Sequence, residues 1–143
     1  MDNDKVLQLK KRAADIRLGI IDEVYNAKSG HPGGALSCAD IMACLYFSEL
    51  RIDPTKPHDP DRDRFVLSKG HSCPALYAAL ALKGFFPESE IKTLRHKGAL
   101  LQGHPDMKHI PGVDMSTGSL GQGISAACGM AIAGKMDNAD YRV

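Results

Sequence analysis

The chain has 143 residues, of which 43% are hydrophobic and 24% charged, with a formal net charge of +1. This composition is typical of one globular domain and excludes a disordered chain. No arginine-rich run or aromatic-basic interleaving is present, which excludes a nucleic-acid-binding footprint. The opening residues carry acids and no hydrophobic segment, and no apolar run approaches the roughly 20 residues of a membrane span. We therefore expect a cytoplasmic protein that binds no membrane.

The first predicted element is an amphipathic helix over residues 5–27, where apolar side chains recur at helical spacing. It is predicted to stop at SGHPGG, whose glycines and proline forbid a regular helix or strand around His31. A second helix is predicted to begin at Ser37, with Asp40 three residues on, and to run through CADIMACLYFSEL.

The middle of the chain alternates loops with short apolar elements. Residues 51–64 are dense in proline and aspartate, which predicts a surface loop with solvated charges rather than a metal site. The apolar run at 65–67 predicts a buried parallel strand. A helix is predicted over 72–82, with Pro74 in its first turn and Gly84 at its end.

The last third begins with a short helix predicted within 87–98 and a long glycine-rich loop. A helix predicted over 124–136 is apolar nearly all round, so we expect it to be buried on more than one face. Residues 138–143 resemble a turn and the start of a strand, which suggests a fragment. We expect an α/β fold dominated by helices, with one or two parallel strands.

The four cysteines are scattered, with no C-x-x-C pair. This pattern favours small, buried, reduced side chains over a disulfide framework or a zinc site. These cysteines are Cys38, Cys44, Cys73 and Cys128.

Three histidines each follow a glycine in a loop that leads toward a helix: His31 in SGHPGG, His71 in SKGHS and His104 in QGHPD. Loops at the carboxyl ends of parallel strands converge on one crevice, and glycine loops supply N–H groups for phosphate. Each histidine taken alone could equally be an exposed turn residue without a functional role. The stretch STGSLGQG is neither a dinucleotide fingerprint nor a P-loop, and its glycines could simply allow close helix packing.

Together, SGHPGG, LSKGHS, QGHPD, GVDMSTGSLGQGIS and GMAIAGKM resemble, in order and spacing, the amino-terminal part of the diphosphate-binding domain of transketolases. The likeness covers residues 10–143 and is strongest to transketolases divided into two polypeptides. It implies a thiamine-diphosphate-binding fold, a parallel sheet flanked by helices. We expect residues 1–143 to be the amino-terminal part of that domain, incomplete at its C-terminal end.

The resemblance implies transfer of a two-carbon ketol unit between sugar phosphates in the pentose phosphate pathway, using thiamine diphosphate and Mg²⁺. By its motif, His71 is expected to approach the cofactor diphosphate and the reacting carbons. His31 and His104 are expected to hydrogen-bond substrate oxygens and assist proton transfer, a role that suits imidazole near neutral pH. The backbone segment expected to contact the aminopyrimidine is Gly118, Ser119 and Leu120, where many members have proline in place of the serine.

The family's Gly-Asp-Gly metal motif is not present in this sequence, so the Mg²⁺ ligands are expected outside this chain. The implied partner is a carboxy-terminal, pyrimidine-binding transketolase chain in a homo- or hetero-oligomer, such as a dimer, and we expect the isolated chain to be inactive. The alternatives are a deoxyxylulose-phosphate synthase-like enzyme, whose family shares only the first motif, and a non-catalytic truncated assembly module.

The other three histidines are expected to have no role in chemistry. His58 lies in the proline-aspartate loop, and His96 lies at a helix C-terminus, where positive charge is favourable. A metal pair of His104 and His109 lacks a third ligand nearby.

Overall fold

A computed structural model describes residues 2–143 and contains five α-helices in that range. They are α1 (Asn3–Ala27), α2 (Pro32–Leu36), α3 (Ala39–Cys44), α4 (Cys73–Lys83) and α5 (Gln122–Met136). A π-helical turn, Leu45–Glu49, continues α3, and 3₁₀ turns lie at Gly70–Ser72 and Glu88–Thr93. Over the same residues, no helix is both long and apolar enough to cross a membrane.

Helix α1 confirms the amphipathic helix predicted at 5–27. The Asp2 carboxylate caps it by accepting the N–H of Asp4 at 3.3 Å, and left-handed Lys28 (φ 50°) ends it. Its inner face packs on α3 and α4. The buried side chains on that face are Leu9, Ala13, Ile16, Ile20 and Glu23.

The SGHPGG segment differs from the prediction, because α2 begins inside it. Proline occupies the first position of α2, where its missing N–H costs no hydrogen bond and its fixed φ suits a helix. Ser37 is not an N-cap either, since its hydroxyl donates to the carbonyl of Gly34 at 2.9 Å. The helix predicted from Ser37 begins at Ala39, after Cys38.

Helix α4 confirms the helix predicted at 72–82 and lies at the centre of the core. All its residues from Cys73 to Ala81 are buried, and left-handed Gly84 (φ 97°) ends it. A Cβ at Gly19 of α1 would lie 2.9 Å from the Cβ of Ala78, so glycine allows the two helices to touch. The short helix predicted within 87–98 is a 3₁₀ turn rather than an α-helix.

The parallel strand expected at 65–67 is not confirmed, since no residue of 2–143 is in a strand. A strand requires a ladder of backbone bonds to a neighbour. Here the Arg64 N–H donates to the carbonyl of Arg142 at 2.8 Å, but the Phe65 N–H donates to the Asp114 carboxylate at 2.8 Å. The segment is thus held partly by a side chain instead of a sheet.

Helix α5 has the predicted position but not the predicted burial. Gly123 and Gly134 are its buried residues, whereas Ile124, Ile132 and Met136 are 63%, 59% and 77% exposed. The expectation of burial on more than one face is therefore wrong within residues 2–143. An apolar pattern indicates a helix whose surface can be buried, but it does not indicate which other part of the structure packs on it.

Ser68 anchors the start of α5. Its carbonyl accepts the N–H of Gly121 at 3.2 Å, and its hydroxyl accepts the N–H of Ile124 at 3.1 Å. A Cβ at Gly123 would lie 2.8 Å from the Cα of Ser68, so glycine allows this close approach. The hydroxyl therefore supplies a helix cap from a distant part of the sequence.

The loop at 51–64 is confirmed as irregular, but its charges are not all solvated. Asp63 is fully buried and accepts hydrogen bonds from the backbone and guanidinium groups of Arg51 and Arg142. Arg62 pairs with Asp114, and both of these side chains are nearly buried. All four cysteines are free; Cys38 and Cys73 are buried, whereas Cys44 and Cys128 are exposed.

Glu23 is fully buried on α1, and neither carboxylate oxygen has a hydrogen-bond partner in the part of the chain described. Burial raises the pKa of this carboxyl well above its usual value. We expect Glu23→Met to raise the free energy of unfolding by about 2 kcal/mol at pH 7, because it removes an unpaired polar group from the core. Urea denaturation of both proteins measures the difference.

The gain from Glu23→Met should grow with pH. Above the unfolded pKa of about 4.3, the unfolded chain ionises Glu23 while the folded chain keeps it protonated, so wild-type stability falls until the folded pKa is passed. Asp22→Asn, a change on the exposed face of the same helix, is the matched control and should show no such slope. Loss of stability in Glu23→Met would instead mean that the carboxyl has a favourable partner.

Candidate functional site

Two of the three predicted histidines meet directly. His31 is the residue before α2, and His71 lies in the 3₁₀ turn that leads into α4. Their ring centroids are 5.1 Å apart with the rings edge to face. The turn at Gly70–Ser72 and the start of α2 therefore place both imidazoles side by side.

His104 is connected to this pair of imidazoles through the loop at 117–118. A Cβ on Gly118 would lie 3.6 Å from the His104 Cδ2. On the other side of the same loop, a Cβ on Gly70 would lie 2.4 Å from the carbonyl oxygen of Thr117, so glycine is required there. The structure thus brings His31, His71, His104 and Gly118 to one site.

Ser119 and Leu120 lie next to this site, in the turn that leads into α5. Both are exposed, and Leu120 exposes 68% of its surface. The Ser119 carbonyl accepts the N–H of Gln122 at 3.3 Å, and Gly121 is left-handed with φ 82°. The contact of this segment with an aminopyrimidine remains a prediction.

Lys69 ties the two histidine-bearing turns together, and the sequence interpretation did not include it. Its ammonium group donates to the carbonyl of Gly34 at 2.6 Å and to the hydroxyl of Ser37 at 3.2 Å. A Cβ on Gly34 would lie 2.6 Å from the hydroxyl of Ser72, so α2 sits directly on the His71 turn. The sequence feature that could have identified Lys69 is its position two residues before His71.

The His104 loop is held on α4 by two buried side chains. The Tyr77 hydroxyl lies 2.9 Å from the carbonyl oxygens of both Gln102 and His104, and the Cys73 thiol donates to that of Gly103 at 3.2 Å. Burial raises the pKa of Tyr77 above its usual value and that of Cys73 to about 12. Both groups therefore stay protonated and act as donors.

Arg95 lies between the His31 loop and the His104 loop. Its guanidinium donates to the hydroxyl of Ser29 at 3.1 Å, and its backbone N–H donates to the carbonyl of Leu101 at 2.8 Å. A Cβ on Gly103 would lie 3.0 Å from Nε of Arg95. The arginine is left-handed, with φ 63°, a conformation that non-glycine residues adopt rarely.

His109 has a partner other than the three site histidines. Nδ1 of His109 lies 2.6 Å from a carboxylate oxygen of Asp106. This surface pair gives the His109 ring a hydrogen-bond partner of its own. From residue 2 to the end of the chain, no group of three His, Cys, Asp or Glu residues is placed to hold a metal ion. The described residues therefore do not fit a Mg²⁺ site, and ligands outside this chain remain a prediction.

The site fits a polar, phosphate-bearing ligand better than it fits a metal. The hydroxyl oxygens of Ser72 and Thr117 are buried beside His71 and Gly118 without a partner in the described part of the chain. Imidazoles can donate or accept protons near neutrality, and His31 and His104 are exposed. The arrangement can thus bind an anion and exchange protons with a bound molecule.

Residues 9–143 match the family model described as "Transketolase, thiamine diphosphate binding domain". Among curated proteins, the chain is 50% identical over 136 residues to the 6-deoxy-6-sulfo-D-fructose transketolase subunit SqwG of Clostridium sp.. It is 45% identical over 138 residues to an apulose-4-phosphate transketolase subunit of Phocaeicola vulgatus. The matches cover 95% and 96% of this chain but 50% and 49% of those proteins, so the chain spans about half their length.

Two solved structures give the same result for the fold. A transketolase from Leishmania mexicana superposes with a TM-score of 0.84 and 40% identity, over 87% of this chain and 19% of that one. Transketolase from Campylobacter jejuni gives a TM-score of 0.83 and 37% identity, over 90% of this chain and 20% of that one. The helical arrangement described above is therefore the one found in part of these larger enzymes.

Proposed function

Since this chain belongs to the transketolase thiamine diphosphate binding domain family, we propose that it supplies the diphosphate-binding part of a ketol-transfer active site. The remainder of the site comes from a carboxy-terminal transketolase chain. The observation that carries the proposal is a chain of contacts: His31 packs against His71, and the 117–118 loop packs against both Gly70, the residue before His71, and His104. Three imidazoles on three separate loops are suited to handling several oxygens and protons of one substrate.

Each residue has a distinct role in this proposal. Thiamine diphosphate, when bound, supplies the electron sink that ketol C–C cleavage requires. His71 stabilises the diphosphate and faces the reacting carbons, while His31 and His104 hydrogen-bond substrate oxygens and exchange protons with them. The backbone of Gly118, Ser119 and Leu120 orients the aminopyrimidine.

The substrates in this proposal are sugar phosphates or sugars with a similar terminal anion. Two relatives have names that specify such sugars, a sulfo-fructose and an apulose phosphate. Mg²⁺ is held by residues outside this chain, and the enzyme is an oligomer that acts in cytoplasmic pentose phosphate metabolism. The segment at 65–67 and residues 141–143, linked by the Arg64–Arg142 bond, form the first strands of a parallel sheet in the assembled enzyme.

The test is a ketol-transfer assay with thiamine diphosphate and Mg²⁺. We expect no turnover from this chain alone and clear turnover when the carboxy-terminal chain of a divided transketolase is added. Ketose phosphates serve as donors and ribose 5-phosphate as acceptor. The reason is that no group of three His, Cys, Asp or Glu among the described residues is placed to hold the metal, and that α5 leaves apolar side chains exposed.

The matched controls are the carboxy-terminal chain by itself and the mixture without thiamine diphosphate, both expected to be inactive. Turnover by the 143-residue chain without its partner would contradict the need for one. Product formation only from pyruvate and glyceraldehyde 3-phosphate would favour a deoxyxylulose-phosphate synthase. A stable complex with no turnover on any substrate would favour a non-catalytic assembly module.

A further inference from the structure

We propose that Tyr77 and Arg95 are positioning residues that hold the segment 102–104 between them and so fix His104 relative to His31. This inference rests on the proposed function, in which both imidazoles act on one substrate. Neither side chain needs to touch that substrate. The two residues act on the loops that carry the histidines.

Tyr77 holds the segment from the core side. It is fully buried on α4, the most buried helix, so its hydroxyl has a fixed position. That hydroxyl lies 2.9 Å from the carbonyls of Gln102 and His104, and the neighbouring Cys73 thiol binds the carbonyl of Gly103. Two donors on one rigid helix thus hold three successive carbonyls, two of which share the single hydroxyl proton of Tyr77, while the His104 imidazole stays exposed.

Arg95 holds the segment from the other side and connects it to the His31 loop. Its guanidinium packs where a side chain at Gly103 would lie and donates to Ser29, two residues before His31. Its Nε is buried without a partner among the described residues, and its backbone is left-handed. Such local strain persists where surrounding structure imposes it, commonly at functional sites. The strained arginine thus sets the spacing of two loops.

The experiment records ¹H–¹³C NMR spectra of the histidine rings in this chain and in three variants. Tyr77→Phe removes only the hydroxyl and should shift the His104 ring signals without moving those of His58 and His96. Arg95→Gln should shift the signals of both His31 and His104, because the guanidinium contacts both loops.

Tyr141→Phe is the matched control, since that hydroxyl also donates to a main-chain carbonyl, of Met130 at 3.0 Å, but away from the histidines. It should leave the His31 and His104 signals unchanged. If Tyr77→Phe lowers the melting temperature as Tyr141→Phe does, yet leaves His104 unmoved, the positioning role is overturned. The positioning role of Arg95 is likewise overturned if Arg95→Gln shifts the ring signals of neither His31 nor His104.

A kinetic measurement on the assembled enzyme adds a second readout. Tyr77→Phe should lower kcat about tenfold and leave KM within about twofold, because a small displacement of a proton-transfer group costs rate more than binding. Tyr141→Phe should leave both constants unchanged. If the wild-type assembly transfers no ketol unit, the proposed function fails, but the NMR comparison still decides whether Tyr77 and Arg95 place His104.

Discussion

Replacing His71 with asparagine is expected to lower kcat of the assembled enzyme by about 100-fold or more, the usual effect of removing a group that transfers or stabilises a proton. Asparagine keeps a hydrogen-bonding group of similar size but cannot carry the positive charge of an imidazolium. The effect should be large because His71 lies next to His31 and beside the glycine loop, where cofactor and substrate are proposed to meet. Steady-state ketol-transfer kinetics measure it.

His96→Asn is the matched control, because this histidine is exposed and is not one of the three site histidines. It should leave kcat unchanged. Thermal melts of the isolated variants check that both fold as the wild type does. If the His71 variant melts normally and keeps full turnover, His71 has no part in the chemistry and the proposed site is wrong.

Asp63→Asn is expected to lower the free energy of unfolding by about 3 kcal/mol, in the range seen when one partner of a buried ion pair is removed. The carboxylate is fully buried and accepts bonds from the backbone N–H of both Arg51 and Arg142 as well as from their guanidinium groups. Asparagine offers one oxygen and no charge, so several of these donors lose their acceptor. Urea denaturation at pH 7 gives the difference.

Asp140→Asn is the control for Asp63→Asn, because Asp140 pairs with the same Arg51 at 2.7 Å but its side chain is 98% exposed. It should leave the denaturation midpoint unchanged. Equal losses of unfolding free energy in the two variants would show that the burial of Asp63 is not the cause of its contribution to stability.

The Asp63 contribution also depends on pH. Burial alone would raise the pKa of Asp63, but hydrogen bonds from Arg142 and Arg51 outweigh it and hold this pKa well below its usual value. The stabilisation is therefore present above the unfolded pKa of about 3.9 and is lost as the pH falls through the folded pKa. The free energies of unfolding of the wild type and of Asp63→Asn should consequently converge in strong acid.

The long helices could be predicted from the sequence because their signals are local. The spacing of apolar residues predicted α1, and the apolar run with Gly84 behind it predicted α4. The site residues followed from motifs rather than from spacing. Resemblance grouped His31, His71 and His104, and the structure places His31 against His71 and places both Gly70, next to His71, and His104 against the 117–118 loop.

The features that could not be predicted depend on distant parts of the chain. Asp63 and Glu23 look like ordinary surface charges in the sequence, and only packing shows that both are buried. The hydroxyl of Ser68 that caps α5 likewise arises from a tertiary contact. The segment at 65–67 has the composition of a strand, but a strand exists only where a neighbour pairs with it.

The bond network of Asp63 has a consequence for the order in which the chain folds during synthesis. Its partner Arg142 is 79 residues further along, so the ribosome needs about 4 to 16 seconds to add that partner. Until then Arg51 is the only one of the two arginine partners available to the carboxylate, although Asp114, made earlier, can already bond Arg62 and Phe65. Helices α1 and α4 have their main contacts within the first part of the chain and can assemble during that interval. The hydrogen bonds of Asp63 are therefore completed only after α1 and α4 have been able to pack.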